Sequence, residues 1–371
     1  MCSSTLVRPR KMALPSRTGP DSSSKLLDEF DSPIIPGLPD DVAKTCLALV
    51  PRREFPSMGL VCKRWRSFLG SKEFLLERKL GGTLEEWVFI LTTGAGKKES
   101  HWEATDGLGN KQWRLPPMPG PLKSGFGVAV VDGKLLIVGG YAVTGGSGAV
   151  SAEVYQYDSC LNSWSKLRNM NEARCSFACA EVNGMVYAVG GYGADGNIIG
   201  SAEAYDPNTG KWTLIESLRL PRWGCFACGF EGKLYVMGGR SSFTIGSARS
   251  VCIYDPEKRA WCELKHGCVM VTTHAMLGTR LFCMEWTTQK KLSVFDLGKN
   301  SWDTVSLPPH RSSEAGFRLG TLDGRLLLFA AMEVAGYHTL SYDPNAAPGS
   351  EWQASKINLS GSCLYSVTIK A

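Results

Sequence analysis

Long apolar runs are missing from this chain of 371 residues. No stretch approaches the roughly 18 apolar residues that a membrane span requires, and the N-terminus lacks the apolar core of a secretory signal. A soluble, intracellular protein without a membrane partner is expected. Histidine is scarce too: His101, His266, His274, His310 and His338 are the only five, and no pair of them has ligand spacing on one strand or helix. Metal chemistry, a cofactor and catalytic residues are therefore not expected. Excess charge is small, 41 Lys and Arg against 35 Asp and Glu. The first 80 residues hold 14 of those bases and 9 of those acids, a net of +5 out of the total +6. The rest of the chain is close to neutral, which disfavours nucleic acid as a partner because phosphate binding needs a concentrated basic face.

Cysteine is present in an odd number, thirteen, scattered through predicted strands and helices. That pattern reads as reduced thiols in a cytoplasmic and/or nuclear protein rather than a disulfide framework. Cys225-Phe-Ala-Cys228 is a CxxC, but it falls on a predicted strand, where residues three apart face opposite sides. The looser set Cys262, His266, Cys268, His274 and Cys283 has no standard zinc spacing.

What the chain does contain is a repeated pattern. An apolar run ends in Gly-Gly, Tyr-Asp follows, and Trp stands seven residues after the Tyr. KLLIVGGY (134–141) leads to Tyr157-Asp158 and Trp164, MVYAVGGY (185–192) to Tyr205-Asp206 and Trp212, and KLYVMGGR (233–240) to Tyr254-Asp255 and Trp261. Weaker copies continue, with LFCMEW (281–286) before Phe295-Asp296 and Trp302, and LLLFAA (326–331) before Tyr342-Asp343 and Trp352. Upstream, EEWVFILTT (85–93) precedes Thr105-Asp106 and Trp113. A period near fifty residues built from short strands predicts a β-propeller. The runs before Gly-Gly are continuously apolar, as in strands covered on both faces by neighbouring blades.

Each complete unit reads as four strands, for example 126–131, 134–140, 152–158 and 163–167. The first unit shows only three (85–93, 101–106, 112–115), and an orphan strand, CLYSVTIKA (363–371), ends the chain. Joining them closes the ring and removes the exposed sheet edge. The expected organisation is a disordered tail (1–34), a helical unit (35–80) and a six-bladed ring (81–371). Its units span about 85–120, 121–170, 171–218, 219–268, 269–309 and 310–356, with the closing strand at 363–371.

The Gly-Gly, Tyr-Asp and Trp spacing resembles the kelch repeat, well in three units and less well where Met284-Glu285 and Ala330-Ala331 replace Gly-Gly. Upstream, three helices are predicted. The first starts at Asp40 or Asp41, carries Val42, Cys46, Leu49 and Val50 on one face and ends at Pro51. The second runs from Pro56-Ser57 to Leu69, with Met58, Val61, Cys62, Trp65, Phe68 and Leu69 as its stripe, and the third spans 71–80. About 45 residues in three helices bury little surface alone, so their stripes call for a partner. The order LPDD (38–41), VP (50–51) and LVCKRWRSFL (60–69) resembles the F-box.

An F-box before a kelch ring resembles the F-box/kelch-repeat proteins, which are especially numerous in plants. The resemblance implies a non-catalytic substrate receptor of an SCF-type ubiquitin ligase, its F-box on a Skp-family adaptor and through it a cullin, its ring on the target protein. Residues matching the adaptor-facing positions are Leu38, Pro39, Val42, Leu47, Val50, Pro51, Val61, Cys62 and Trp65. Target binding is expected on the ring face that gathers the loops after Gly-Gly, with Tyr141, Tyr192, Arg240 and Trp286, and those entering each first strand, with Lys123, Arg174, Arg222, Trp223, His274 and Arg311. Exposed Arg and aromatic side chains anchor interfaces, and this set suits an acidic or phosphorylated segment. The bland reading of Arg174 and Arg222 is that they brace turns through backbone carbonyls. The alternative for the whole chain is a kelch scaffold that takes no part in ubiquitination.

Overall fold

A computed structural model describes residues 33–94, 100–107, 109, 112–144, 147–241, 250–265, 267, 271–285, 291–308, 316–331, 339–347 and 349–371. The tail expected at 1–34 lies outside them up to residue 32. Ile34, assigned to that tail, is instead buried in the helical core.

The helical unit contains α1 (Asp40–Ala48), a 3-10 turn (Arg52–Glu54), α2 (Phe55–Met58), α3 (Lys63–Leu69) and α4 (Lys72–Leu80). The single helix expected over 56–69 is thus two. Its chain leaves helical geometry at Cys62 (φ −159°, ψ 166°), whose Sγ then accepts the Trp65 N–H at 3.4 Å and caps α3. None of these helices is long and apolar enough to cross a membrane, nor is any other among the described residues.

The strands form six four-stranded blades. The first contains β1 (Glu86–Thr93), β2 (Ser100–Asp106) and β3 (Gln112–Arg114). The second contains β4 (Gly127–Val131), β5 (Lys134–Val138), β8 (Val154–Asp158) and β9 (Ser163–Lys166). A hairpin not anticipated from the repeat, β6 (Tyr141–Thr144) and β7 (Ser147–Val150), stands between β5 and β8. The third is β10 (Ala178–Val182), β11 (Met185–Val189), β12 (Ala202–Asp206) and β13 (Lys211–Ile215), and the fourth is β14 (Trp223–Phe230), β15 (Lys233–Arg240), β16 (Ser250–Asp255) and β17 (Ala260–Lys265). β18 (Val271–Leu277), β19 (Arg280–Glu285), β20 (Lys291–Asp296) and β21 (Ser301–Val305) make the fifth; β22 (Gly316–Leu322), β23 (Arg325–Ala331), β24 (Thr339–Tyr342) and β25 (Trp352–Ala354) make the sixth. The C-terminal β26 (Ser362–Lys370) pairs antiparallel with β1, Trp87 opposite Ile369, and completes the first blade as β26-β1-β2-β3.

The repeated residues each have a mechanical task. Tyr and Trp of a unit face each other across its last two strands, Tyr157 opposite Trp164 and Tyr205 opposite Trp212, with ring centroids 5.2 Å apart in both. The indole N–H then reaches the preceding blade: Trp164 donates to Pro116 O (2.9 Å), Trp212 to Arg168 O (3.1 Å) and Trp352 to Ser306 O (2.9 Å). The motif Asp closes the intervening turn, as when Asp206 Oδ1 accepts the Asn208 N–H (2.8 Å), an Asx-turn. In the first unit the register departs by one residue. Trp113 lies opposite Ala104, not Thr105, and packs 4.2 Å from Trp87, which supplies the aromatic surface that the motif Tyr provides elsewhere.

The helical unit packs directly on the first two blades. Cys160 and Leu161, in the turn between β8 and β9, join the cluster of Phe55, Met58, Phe68, Leu69 and Phe74. Lys134 Nζ donates to Gly70 O (3.1 Å), Lys72 pairs with Asp132 (3.1 Å), and buried Arg52 donates through Nη1 to Ile369 O in the closing strand (3.1 Å). Within the unit, buried Arg78 donates to both Ala48 O and Val50 O (2.7 Å each).

Trp212 is buried, so Trp212→Ala is expected to cost about 3–5 kcal/mol. Trp212→Phe keeps most of the apolar contact and loses only the inter-blade N–H, at about 1 kcal/mol. Urea unfolding of the two variants checks that ratio.

Candidate functional site

Two surfaces lie at opposite ends of the ring axis. The helical unit touches the turns β4–β5 and β8–β9 and the end of β26. The beginnings of the six inner strands, β4, β10, β14, β18, β22 and β26, line two adjoining cavities of about 430 and 220 Å³. That second end is the one onto which the loops expected to bind a target converge.

On the helical unit, α1 shows how the sequence divides its faces. Ala43, Leu47 and Ala48 are buried, while Val42, Cys46 and Leu49 are exposed. Apolar side chains at i and i+7 therefore point to solvent. Leu38, Pro39, Val42, Pro51, Val61 and Cys62, all expected to face an adaptor, are exposed, and Val61 keeps 61% of its surface accessible. Leu47 does not fit that role. It is in the core with Phe55 and Phe74, because the helix turns its i+5 position inward. Val50 and Trp65 are half-buried at the edge of the same core, and Trp65 Nε1 donates to Ile34 O at 2.9 Å. Two residues left out of the expected set are exposed alongside it, Leu49 and Leu60, the latter at 80%. The signal for Leu49 was its place on the Val42-Cys46 stripe; Leu60 had none beyond standing next to Val61. An Asp40–Arg64 ion pair (2.5 Å) ties the start of α1 to α3, so the LPDD turn is held against the VCKRWR helix.

On the ring, three of the expected cations are not surface groups. Arg174 has no exposed surface: Nη1 donates to Gly190 O (3.0 Å) and Ser201 O (3.1 Å), and Nη2 meets Glu203, equally buried, at 2.9 Å. Arg222 is equally buried, with Nη1 on Ser250 O (3.2 Å) and Nη2 on Ser250 Oγ (3.0 Å) and Cys252 Sγ (3.2 Å). Lys123 is buried as well, held by Ser151 Oγ (2.9 Å) and Glu153 (2.7 Å). The hydrogen bonds from Lys123 and Lys166 hold the Glu153 carboxyl at about 2. The bracing reading of Arg174 and Arg222 is the one this geometry supports, since each guanidinium is spent on main-chain carbonyls and side chains of the blade that its loop leads into.

Tyr141 and Arg240 are exposed, and Tyr192 packs on Trp223 with ring centroids 5.1 Å apart. Trp223 is in turn opposite Arg240 across β14 and β15. These four residues remain as candidate contacts. Leu122 and Val143, not anticipated, are exposed on the same rim, and Arg318 and Tyr365 line the larger cavity. Trp286 and Arg311 lie outside the described residues. His274 faces that cavity with its ring 4.5 Å from Phe226, and burial pulls its pKa down to about 4. Lys123 and Arg318 line the same space.

The CxxC behaves as structure. Cys225 and Cys228 belong to two different core clusters, on opposite faces of β14, and burial pushes the Cys225 thiol up to about 11.

Comparison with known proteins finds matches to both the ring and the helical unit. The kelch motif matches residues 122–171, 173–219 and 221–266, and the F-box domain matches 35–77. The chain is 57% identical over 352 residues to the F-box/kelch-repeat protein At1g67480 of Arabidopsis thaliana, covering 95% of this chain and 94% of that one. It is 42% identical to the putative F-box/kelch-repeat protein At1g27420 of the same plant, covering 93% and 99%. The solved structure of YjhT superposes with a TM-score of 0.53 at 14% identity, over 69% of this chain and 91% of that one, a likeness of fold alone.

Two outcomes follow from the geometry. Arg174→Ala strands Glu203 as an unpaired buried charge and is expected to destabilise the ring by about 3–5 kcal/mol in chemical denaturation. For His274, folded and unfolded pKa values of about 4 and 6.5 mean that the unfolded chain binds the extra proton between those limits. Its contribution to stability therefore falls as pH drops from 6.5 to 4 and is constant above. Melting curves across that range should show a shallower acid slope in His274→Asn than in the parent protein.

Proposed function

The chain belongs to the F-box/kelch-repeat family, and from that premise we propose that it is the substrate-recognition subunit of an SCF-type ubiquitin ligase. In this reading the helical unit docks a Skp-family adaptor, which links to a cullin, and the ring captures the protein to be modified. The chain contributes no catalytic group of its own. It supplies proximity and orientation, and ubiquitin transfer is carried out by other subunits.

One observation carries the adaptor assignment. The helical unit already spends its inner faces on its own core and on the ring, yet Leu38, Val42, Leu49, Leu60 and Val61 still point to solvent. Exposed apolar side chains concentrated on so small a unit favour a protein partner. The opposite end of the ring is left for the target. There the proposed contacts are Tyr141 and the Tyr192–Trp223–Arg240 group, suited to a segment that carries an acidic or phosphorylated side chain on Arg240 and apolar surface on the rings. The scattered cysteines and the proposed partners favour the cytoplasm and/or nucleus as the compartment of this work.

Leu60→Asp with Val61→Asp alters side chains that are 80% and 61% exposed, so the fold is expected to persist. Co-purification of a Skp-family adaptor should fall at least tenfold, a change of about 1.4 kcal/mol or more, while the melting temperature stays within a degree or two. Adaptor capture that survives this double change would favour the scaffold reading instead. Arg240→Glu tests the target face separately, since Arg240 is exposed and lies far along the axis from the helices.

A further inference from the structure

The cavities of about 430 and 220 Å³ at the starts of the inner strands share part of their walls, since Phe126, His274 and Tyr365 line both. Space of a few hundred Å³ is enough for a small organic ligand. The charge around it is unbalanced. Neither cavity has an aspartate or glutamate in its wall, while the larger has Lys123 and Arg318. Lys123 is already matched, its ammonium held by Glu153 at 2.7 Å. His274 is uncharged at neutral pH, because burial pulls its pKa down to about 4. Among the described residues of the wall, Arg318 is left as the unmatched charge.

Arg318 stands on β22 with part of its guanidinium committed. Nε donates to Leu364 O (2.9 Å) and Nη1 to Phe317 O (3.0 Å). Those two carbonyls fix the plane of the group without neutralising it. Nη2 has no acceptor among the described residues, and it is not sealed from the cavity as the idle Nε atoms of Arg174 and Arg222 are. The side chain as a whole is half-buried. The Tyr365 hydroxyl is a second donor in the same state, without a partner among the described residues and not closed off. Burial pushes its pKa up, so it keeps its proton at neutral pH. Around these donors the wall is apolar, with Leu91, Leu364 and the Phe126 ring, whose centroid lies 5.8 Å from that of Tyr365.

We propose that this space is a binding site for a small organic carboxylate, with its acid group on Arg318 Nη2 and the Tyr365 hydroxyl and its ring-bearing body against Phe126, Leu91 and Leu364. A guanidinium held in a fixed plane suits a planar carboxylate, and a half-desolvated cation gains most from an anion that reaches it. An inorganic anion would meet the two donors but leave the apolar walls wet, whereas a ligand with an apolar body covers them. None of Tyr192, Trp223 and Arg240 lines either cavity. The site is therefore separate from the contacts proposed for a protein target, and it is independent of the ligase reading. By linkage, occupancy stabilises the folded chain.

The test uses the full chain at matched ionic strength with 3-phenylpropionate as the probe. Its neutral amide, 3-phenylpropionamide, removes the charge, and propionate keeps the acid without the ring. 3-Phenylpropionate is expected to bind saturably at one site per chain by titration calorimetry and to raise the melting temperature, with the amide and propionate each at least tenfold weaker. Arg318→Gln should weaken the acid at least tenfold and leave the amide unchanged, whereas Lys258→Gln, a highly exposed control in the β16–β17 turn, should change neither. If Arg318→Gln loses its cooperative unfolding transition, Tyr365→Phe, which keeps the ring and removes only the hydroxyl, should still weaken the acid about threefold. Undetectable binding of 3-phenylpropionate, equal binding of acid and amide, or acid binding undiminished in the folded variant overturns the proposal.

Discussion

Arg174 is sealed between blades with Glu203, and the packing of the ring depends on the kind of link it makes. The Gly140 N–H donates to Arg174 O (2.9 Å), the Arg174 side chain donates to Gly190 O, and the Gly191 N–H donates to Arg222 O (2.8 Å). Blade is thereby joined to blade through alternating main-chain and side-chain contacts. The glycine pairs are required for steric reasons. At Gly139 and Gly190 φ is positive, and a Cβ there would meet Arg174 O at 2.6 Å and Arg222 O at 2.7 Å. Only glycine combines that conformation with so close a backbone approach. Where the pair is replaced by Met284-Glu285 or Ala330-Ala331, β19 and β23 simply run on as strand through those positions.

Closure by β26 gives the ring a second use. Its far end provides Ile369 O for Arg52, so the strand that seals the first blade also seats the helical unit. Leu161 of the second blade enters the helical core from the same side. The adaptor-type helices and the loops at the starts of the inner strands are consequently separated by the depth of the ring, with the connection between them packed instead of flexible. In the proposed receptor role, that geometry would present a bound target in a defined orientation, which is the form that catalysis by proximity requires.

Much of this was legible in the chain because the repeat is written in residues with one mechanical task each. The Tyr-Asp and Trp positions pair across strands, so counting them counts blades, and a lone C-terminal strand next to a three-stranded first unit points to closure. Misreadings arose where burial depends on neighbours distant in sequence. Arg174, Arg222 and Lys123 sit in loops, where long cations are commonly solvated, and only carbonyls, hydroxyls and carboxylates some thirty residues further along their own repeat unit draw them inside. Leu47 and Leu49 differ by two positions on one helix, and the core they face or avoid is assembled partly from Leu161, more than a hundred residues away. The break at Cys62 likewise escaped a periodicity that runs smoothly through it.

By itself the sequence determined the class of fold, the number of blades and the presence of a helical unit with apolar surface to spare, since these follow from local periodicity and turn chemistry. Tertiary structure alone decided which cations are buried as braces and which stay exposed, which leucines remain exposed, and that Arg52 is buried where the helices meet the closing strand. Those are questions of burial and of the nearest partner, and both are set by residues that meet only when the ring has closed.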